Sequence, residues 1–190
     1  MTEAALPLLA RIADALDRLA PPAPAAPSFE GARLFRHEPV SGAFLPAPDY
    51  AMDIELLVGI ERQKERFLQN LRRFADGLPC NHVLLWGVRG TGKSSLTKSA
   101  FMAMVAEYPD LKLVEVDRDE VAALPPLFDA LRVRGERFVV LCDDLSFEDG
   151  AVAAKALKAA REGGVAGPPE NVLFVSTSNR RHLMPRDHAE

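Results

Sequence analysis

The segment Val83-Leu84-Leu85-Trp86-Gly87-Val88-Arg89-Gly90-Thr91-Gly92-Lys93-Ser94 decides how the chain is read. Its first four residues are apolar and predict a short strand. Gly87 to Ser94 then fit G-x-x-x-x-G-K-[ST], directly ahead of a helical stretch expected over Lys93 to Glu107, which is the setting of a phosphate-binding P-loop. The glycines let the backbone curl so that successive N–H groups face phosphate oxygens, and the helix that follows adds the positive end of its dipole. The candidate nucleotide-binding loop is therefore Gly87, Val88, Arg89, Gly90, Thr91, Gly92, Lys93, Ser94 and Ser95. Within it, Lys93 is expected to bridge the β- and γ-phosphates of ATP, and Ser94 to offer its hydroxyl to Mg²⁺.

Downstream, short apolar runs at Leu111 to Val116, Phe138 to Cys142 and Val172 to Thr177 are separated by helical stretches near Leu124 to Arg134 and Ala151 to Glu162. Upstream, Ile60, Phe67, Leu68, Leu71 and Phe74 share one face of a helix expected to end at the capping glycine Gly77. Apolar strands without alternation, joined by helices, predict an α/β fold with a parallel sheet covered on both faces.

The run Phe138-Val139-Val140-Leu141-Cys142 ends in Asp143-Asp144. A buried parallel strand releases such acids at the carboxyl edge of the sheet, where the P-loop also opens. Asp143 is placed to hold Mg²⁺ and Asp144 to orient or activate water, the alternative for Asp144 being a helix N-cap. Val172-Leu173-Phe174-Val175-Ser176-Thr177-Ser178-Asn179 likewise ends an apolar strand in small polar residues.

Around this core the sequence predicts an amphipathic helix within residues 1–20, from Leu8, Leu9, Ile12, Leu16 and Leu19. A proline-rich linker or arm within 21–49 follows, holding seven of the fifteen prolines, and a nucleotide-binding domain over 50–190. The 190 residues, 48% hydrophobic and 26% charged, match an ordinary globular domain. No apolar run reaches membrane-spanning length and no secretory signal is evident, so a cytoplasmic location is expected. Two cysteines exclude a disulfide framework, and a net charge of −4 gives no indication of nucleic-acid binding.

These signals together resemble the AAA+ ATPases. The strings Gly59-Ile60-Glu61-Arg62-Gln63-Lys64, Leu84-Leu85-Trp86-Gly87 through Lys93-Ser94-Ser95-Leu96, Cys142-Asp143-Asp144-Leu145-Ser146-Phe147-Glu148, Glu162-Gly163-Gly164 and Thr177-Ser178-Asn179-Arg180-Arg181-His182-Leu183 are similar to one bacterial group of AAA+ proteins known only as a domain of unknown function. The resemblance runs from about Phe35 to the C-terminus. It implies that Asn179 is the sensor-1 residue, that the sensor strand lies between the strands of the two Walker motifs, and that Val58, Gly59 and Ile60 wrap the adenine. ATP and Mg²⁺ are the implied ligands, and a homo-oligomer acting on a macromolecular partner is the implied assembly of the full-length protein.

Two departures qualify that resemblance. Asp143-Asp144 replaces the usual Asp-Glu, and the shorter side chain predicts slow hydrolysis unless a turn brings Asp144 closer. The chain also stops at Glu190, before the fifth strand, the helical lid and the arginine finger that such domains carry. The expectation is thus a P-loop NTPase domain incomplete at its C-terminus, weak or inactive alone, with a non-hydrolysing ATP switch as the alternative function and a small-molecule kinase less favoured.

Overall fold

The structure is a computed structural model that describes residues 7–8, 11–12, 28–145 and 169–179. Six strands form one sheet: β1 (Leu34–Glu38), β2 (Ala43–Ala47), β3 (Val83–Trp86), β4 (Leu111–Val116), β5 (Arg137–Cys142) and β6 (Val172–Ser178). Their order is β2-β1-β4-β5-β6-β3, antiparallel only between β1 and β2. The helices α1 (Glu61–Ala75), α2 (Lys93–Met104) and α3 (Leu124–Arg132) flank it, with 3-10 turns at Ile54–Leu56 and Arg118–Ala123.

The three-layer arrangement follows from strands that are apolar on both faces. Phe35, Val114, Val116, Phe138, Val140, Cys142, Val172 and Phe174 share one core with Leu124, Leu127, Phe128 and Leu131 of α3. Leu34, Leu113, Val139, Leu141, Leu173 and Val175 pack on the other face against Phe67, Leu71 and Phe74 of α1 and Leu96, Ala100, Phe101 and Met104 of α2. Odd and even positions of β5 and β6 thus face different helices, so a one-residue slip would exchange both interfaces. Each such side chain, fully buried, stabilises the fold by roughly 1.5–3 kcal/mol.

Local chemistry sets the element boundaries. Glu61 sits in the first turn of α1 and Arg72 and Arg73 in its last, matching the helix dipole. Gly77, at φ 72°, ends the helix in a left-handed cap: its N–H donates to the Phe74 carbonyl at 3.0 Å and that of Leu78 to Arg73 at 2.8 Å. Asn171 ties the end of α3 to the start of β6 by donating from Nδ2 to the carbonyls of Leu131, Arg134 and Glu136.

The strands expected from the apolar runs are all present, and β6 lies between β5 and β3 as the resemblance implies. The proline-rich stretch is a correction. Rather than a linker throughout, residues 34–47 form a hairpin whose β1 pairs in parallel with β4. Its prolines are compatible with that role, since Pro39 lies in the turn, Pro46 on the outer strand β2, and Pro48 beyond it. Phe29 and Phe35 are buried and meet edge to face with ring centres 5.0 Å apart. Of the expected N-terminal helix, residues 7–8 and 11–12 are helical, with Leu8 and Ile12 exposed. The helix expected at 151–162, with Arg180, Arg181 and His182, lies outside the described residues. Among the described residues no helix is long and apolar enough to cross a membrane.

Desolvation holds His37 and His82 below the ordinary value of 6.5, with Glu120 opposing the shift at His37. The neutral ring is the one that functions at His82, because Nδ1 accepts the Phe174 N–H at 3.1 Å. The unfolded chain takes up these protons first as pH falls. The stability they contribute is present above pH 6.5 and lost as pH drops through the lowered folded values. Thermal unfolding between about pH 7.5 and 5 is therefore expected to show a declining Tm below about 6.5. The decline should be shallower in His82→Gln, whose amide oxygen accepts at every pH; equal slopes in the two proteins would contradict this assignment.

Candidate functional site

The carboxyl ends of β3, β5 and β6 open on one cleft of about 340 Å³, lined by Arg89, Gly90, Gly92, Lys93, Ser94, Ser95, Asp143, Asp144, Thr177 and Asn179. Register produces this meeting. Leu141 of β5 pairs with Val175 and Cys142 with Ser176, while Leu85 and Trp86 of β3 pair with Thr177 and Ser178. Residues just past each strand end therefore lie side by side, although they are separated in sequence by as many as 86 positions.

The P-loop leaves β3 with the Gly87 N–H donating to the Ser178 carbonyl at 3.1 Å, which fastens its start to β6. Gly90 and Gly92 take left-handed φ values of 83° and 78°, and Gly92 is the N-cap of α2. No side chain caps that helix start, so its first N–H groups face the cleft as backbone donors. Thr91 Oγ1 donates to the Val88 carbonyl at 2.9 Å, bracing the loop from within. Lys93 Nζ donates to the carbonyls of Gly87 at 3.0 Å and Val88 at 2.9 Å, and to Asn179 Oδ1 at 3.0 Å.

The two acids differ in their partners. Asp143 Oδ1 accepts from Ser94 Oγ at 2.5 Å, Thr177 Oγ1 at 2.6 Å and the Asp144 N–H at 3.1 Å. Asp144 is the only described non-glycine residue with positive φ, at 53°. That turn directs its carboxylate so that Oδ1 accepts from Asn179 Nδ2 at 2.5 Å, while Oδ2 lies 3.7 Å from Arg118 Nη1. The short aspartate is thus brought by its own turn into contact with Asn179. The neighbouring Cys142 is inert: burial above all, with Asp143 adding, pushes its thiol up to about 12.

The structure brings together Lys93, Ser94, Ser95, Arg89, Gly90, Gly92, Asp143, Asp144 and Asn179. Gly87 anchors the loop, Thr91 turns inward on it, and Val88 is exposed. Val58, Gly59 and Ile60 are not brought into the cleft lining: Val58 is 81% exposed and Ile60 packs beside the core. The same segment does abut the P-loop, because Leu57 Cδ2 lies 3.7 Å from where a Cβ on Gly92 would stand. Two residues escaped the sequence reading. Thr177 stood inside the quoted strand end, and only the register of β6 against β5 marks it; Arg118 follows β4, and only the pairing of Val116 with Cys142 brings it near Asp144.

The family model described as "Protein of unknown function (DUF815)" matches residues 30–190. No curated protein matches the chain. Among solved structures, PCH-2 of C. elegans aligns with TM-score 0.53 and 20% identity over 75% of this chain and 43% of its own. The Aeropyrum pernix ORC1 protein, solved in complex with DNA, aligns with TM-score 0.52 and 15% identity over 71% of this chain and 45% of its own. The likeness is one of fold, a mostly parallel sheet flanked by helices. The chain spans less than half the length of either of these solved chains.

The left-handed P-loop glycines make a direct test. A Cβ on Gly92 meets only an ordinary contact with Leu57, so Gly92→Ala is expected to cost about 1–2 kcal/mol from backbone strain alone. Gly135→Ala, at an open position without positive φ, should stay within about 0.5 kcal/mol of the parent. Denaturant midpoints for the two variants check the difference.

Proposed function

This chain belongs to the family described as "Protein of unknown function (DUF815)", and we propose that it binds ATP with Mg²⁺ in this cleft and hydrolyses the nucleotide to remodel or load a macromolecular partner. The observation that carries the reading is the convergence of Lys93, Ser94, Asp143, Asp144 and Asn179 from three strand ends on one cleft. Its AAA+ fold supports nucleotide use; a homo-oligomeric full-length protein and a cytoplasmic location belong to the same proposal.

The donors fit a magnesium ion. Among the described residues no group of three or more His, Cys, Asp or Glu side chains forms a metal cage. Mg²⁺ suits such a site, because it is usually held by one or two carboxylates together with substrate phosphates and water. Ser94 and Asp143, already in contact, would supply the protein oxygens. The ion, when bound, neutralises charge on the β- and γ-phosphate oxygens.

The chain's own residues supply the rest. P-loop N–H groups hold the phosphates, and Lys93 exchanges its carbonyl partners for β- and γ-oxygens. Asp144 orients the attacking water and accepts its proton as the new bond to the γ-phosphorus forms and the bond to the β–γ bridging oxygen breaks, leaving ADP and phosphate. Asn179, bonded to both Lys93 and Asp144, aligns the two. A non-hydrolysing switch remains the second reading, favoured by one observation: Asn179 and Arg118 already occupy both oxygens of Asp144.

A charge-assisted phosphate hydrogen bond contributes roughly 1.5–3 kcal/mol, so Lys93→Ala is expected to weaken ATP binding at least about tenfold by calorimetry. Asp144→Asn is expected to retain binding and to lose phosphate release on the order of a hundredfold, in the full-length protein. Unchanged binding in the lysine variant would contradict the proposed site. Tight Mg-ATP binding with no release even by the full-length wild type would select the switch.

A further inference from the structure

We infer that Thr177 is a positioning residue that fixes both acids of the cleft, holding Asp143 ready for the metal and Asp144 in the turn that aims it at the nucleotide. The inference rests on the Mg-ATP reading and deepens it.

Thr177 is 1% exposed, and it binds three consecutive residues. Its hydroxyl donates to Asp143 Oδ1 at 2.6 Å and accepts the Asp144 N–H at 2.8 Å, while its carbonyl accepts the Leu145 N–H at 2.9 Å. One hydroxyl has a single proton to give, and here it goes to a carboxylate. With that bond and the one from Ser94, the Asp143 carboxylate is turned with Oδ1 toward both hydroxyls, one from the P-loop helix and one from β6. The second bond explains the backbone at Asp144. A residue at φ 53° is unfavourable for most side chains and persists where surrounding bonds over-determine it. Thr177 provides two of those bonds, at Asp144 N and Leu145 N. Valine keeps the shape without the hydroxyl, and serine keeps the hydroxyl without the methyl.

Hydrogen-bond partners of a ligating carboxylate tune metal affinity, and their loss typically costs 10–100-fold. A threonine that only filled a gap beneath the sheet edge would leave metal dependence unchanged. Thr177→Val and Thr177→Ser separate these roles. Binding of a fluorescent ATP analogue is titrated with Mg²⁺, and amide hydrogen exchange at Asp144 is followed without nucleotide. Folding of both variants is checked by circular dichroism.

The expected result for Thr177→Val is a rise of about 10–100-fold in the Mg²⁺ concentration giving half-maximal binding. Binding measured in chelator should be unchanged, and exchange at Asp144 faster. Thr177→Ser should return to within about threefold of the wild type on the metal titration. Wild-type metal dependence in a folded valine variant would overturn the inference, as would a serine variant as impaired as valine. No metal-dependent nucleotide binding by the wild type would instead overturn the Mg-ATP reading and the metal half of the inference. Exchange at Asp144 still decides the backbone half.

Discussion

The insertion of β6 between β5 and β3 is the constraint on which the site depends. Parallel pairing on both sides of one strand fixes the register of two others, and so fixes which residues emerge together at the carboxyl edge. That register is in turn enforced by burial: Val139, Leu141, Leu173 and Val175 must meet the α1 and α2 layer while Phe138, Val140, Val172 and Phe174 meet α3. A slip by one residue would exchange the two faces and separate the residues that meet at the carboxyl edge. The cleft is therefore a consequence of core packing, with no separate scaffold needed.

Within the cleft, the charged groups are held by hydrogen bonds to uncharged partners. Lys93 donates to two P-loop carbonyls and the Asn179 oxygen, and Asp143 accepts from two hydroxyls and an N–H. A bound phosphate competes with carbonyls that are weaker, uncharged acceptors, so Lys93 can exchange partners without leaving its charge unpaired. Asn179 contacts both Lys93 and Asp144, so a shift of the lysine is felt at the second acid. The left-handed turn at Asp144 brings its carboxylate to Asn179 through the backbone.

Much of this was legible from residue order. The P-loop spacing, the Asp143-Asp144 pair and the polar end of β6 each mark a strand end, because a strand buried on both faces announces itself as an apolar run. The hairpin was harder to see. Its strands are short, its outer strand contains Pro46, and the prolines around it imitate a linker; the pairing of β1 with β4 and the burial of Phe29 and Phe35 show that it belongs to the core. Thr177 and Arg118 could not be assigned from spacing, since their roles arise from neighbours in adjacent strands rather than from neighbours in sequence. The segment at Val58, Gly59 and Ile60 lies next to the P-loop through Leu57, yet outside the cleft lining.

The central claim is that the carboxyl edge of β3, β5 and β6 is a Mg-nucleotide site. It is tested most directly by a crystal structure with a non-hydrolysable ATP analogue and Mn²⁺ in place of Mg²⁺. The account predicts an anomalous peak between Ser94 Oγ and Asp143, the γ-phosphate against the P-loop N–H groups, and Lys93 Nζ withdrawn from the Gly87 and Val88 carbonyls. An analogue bound elsewhere, or a metal peak away from Ser94 and Asp143, would contradict it.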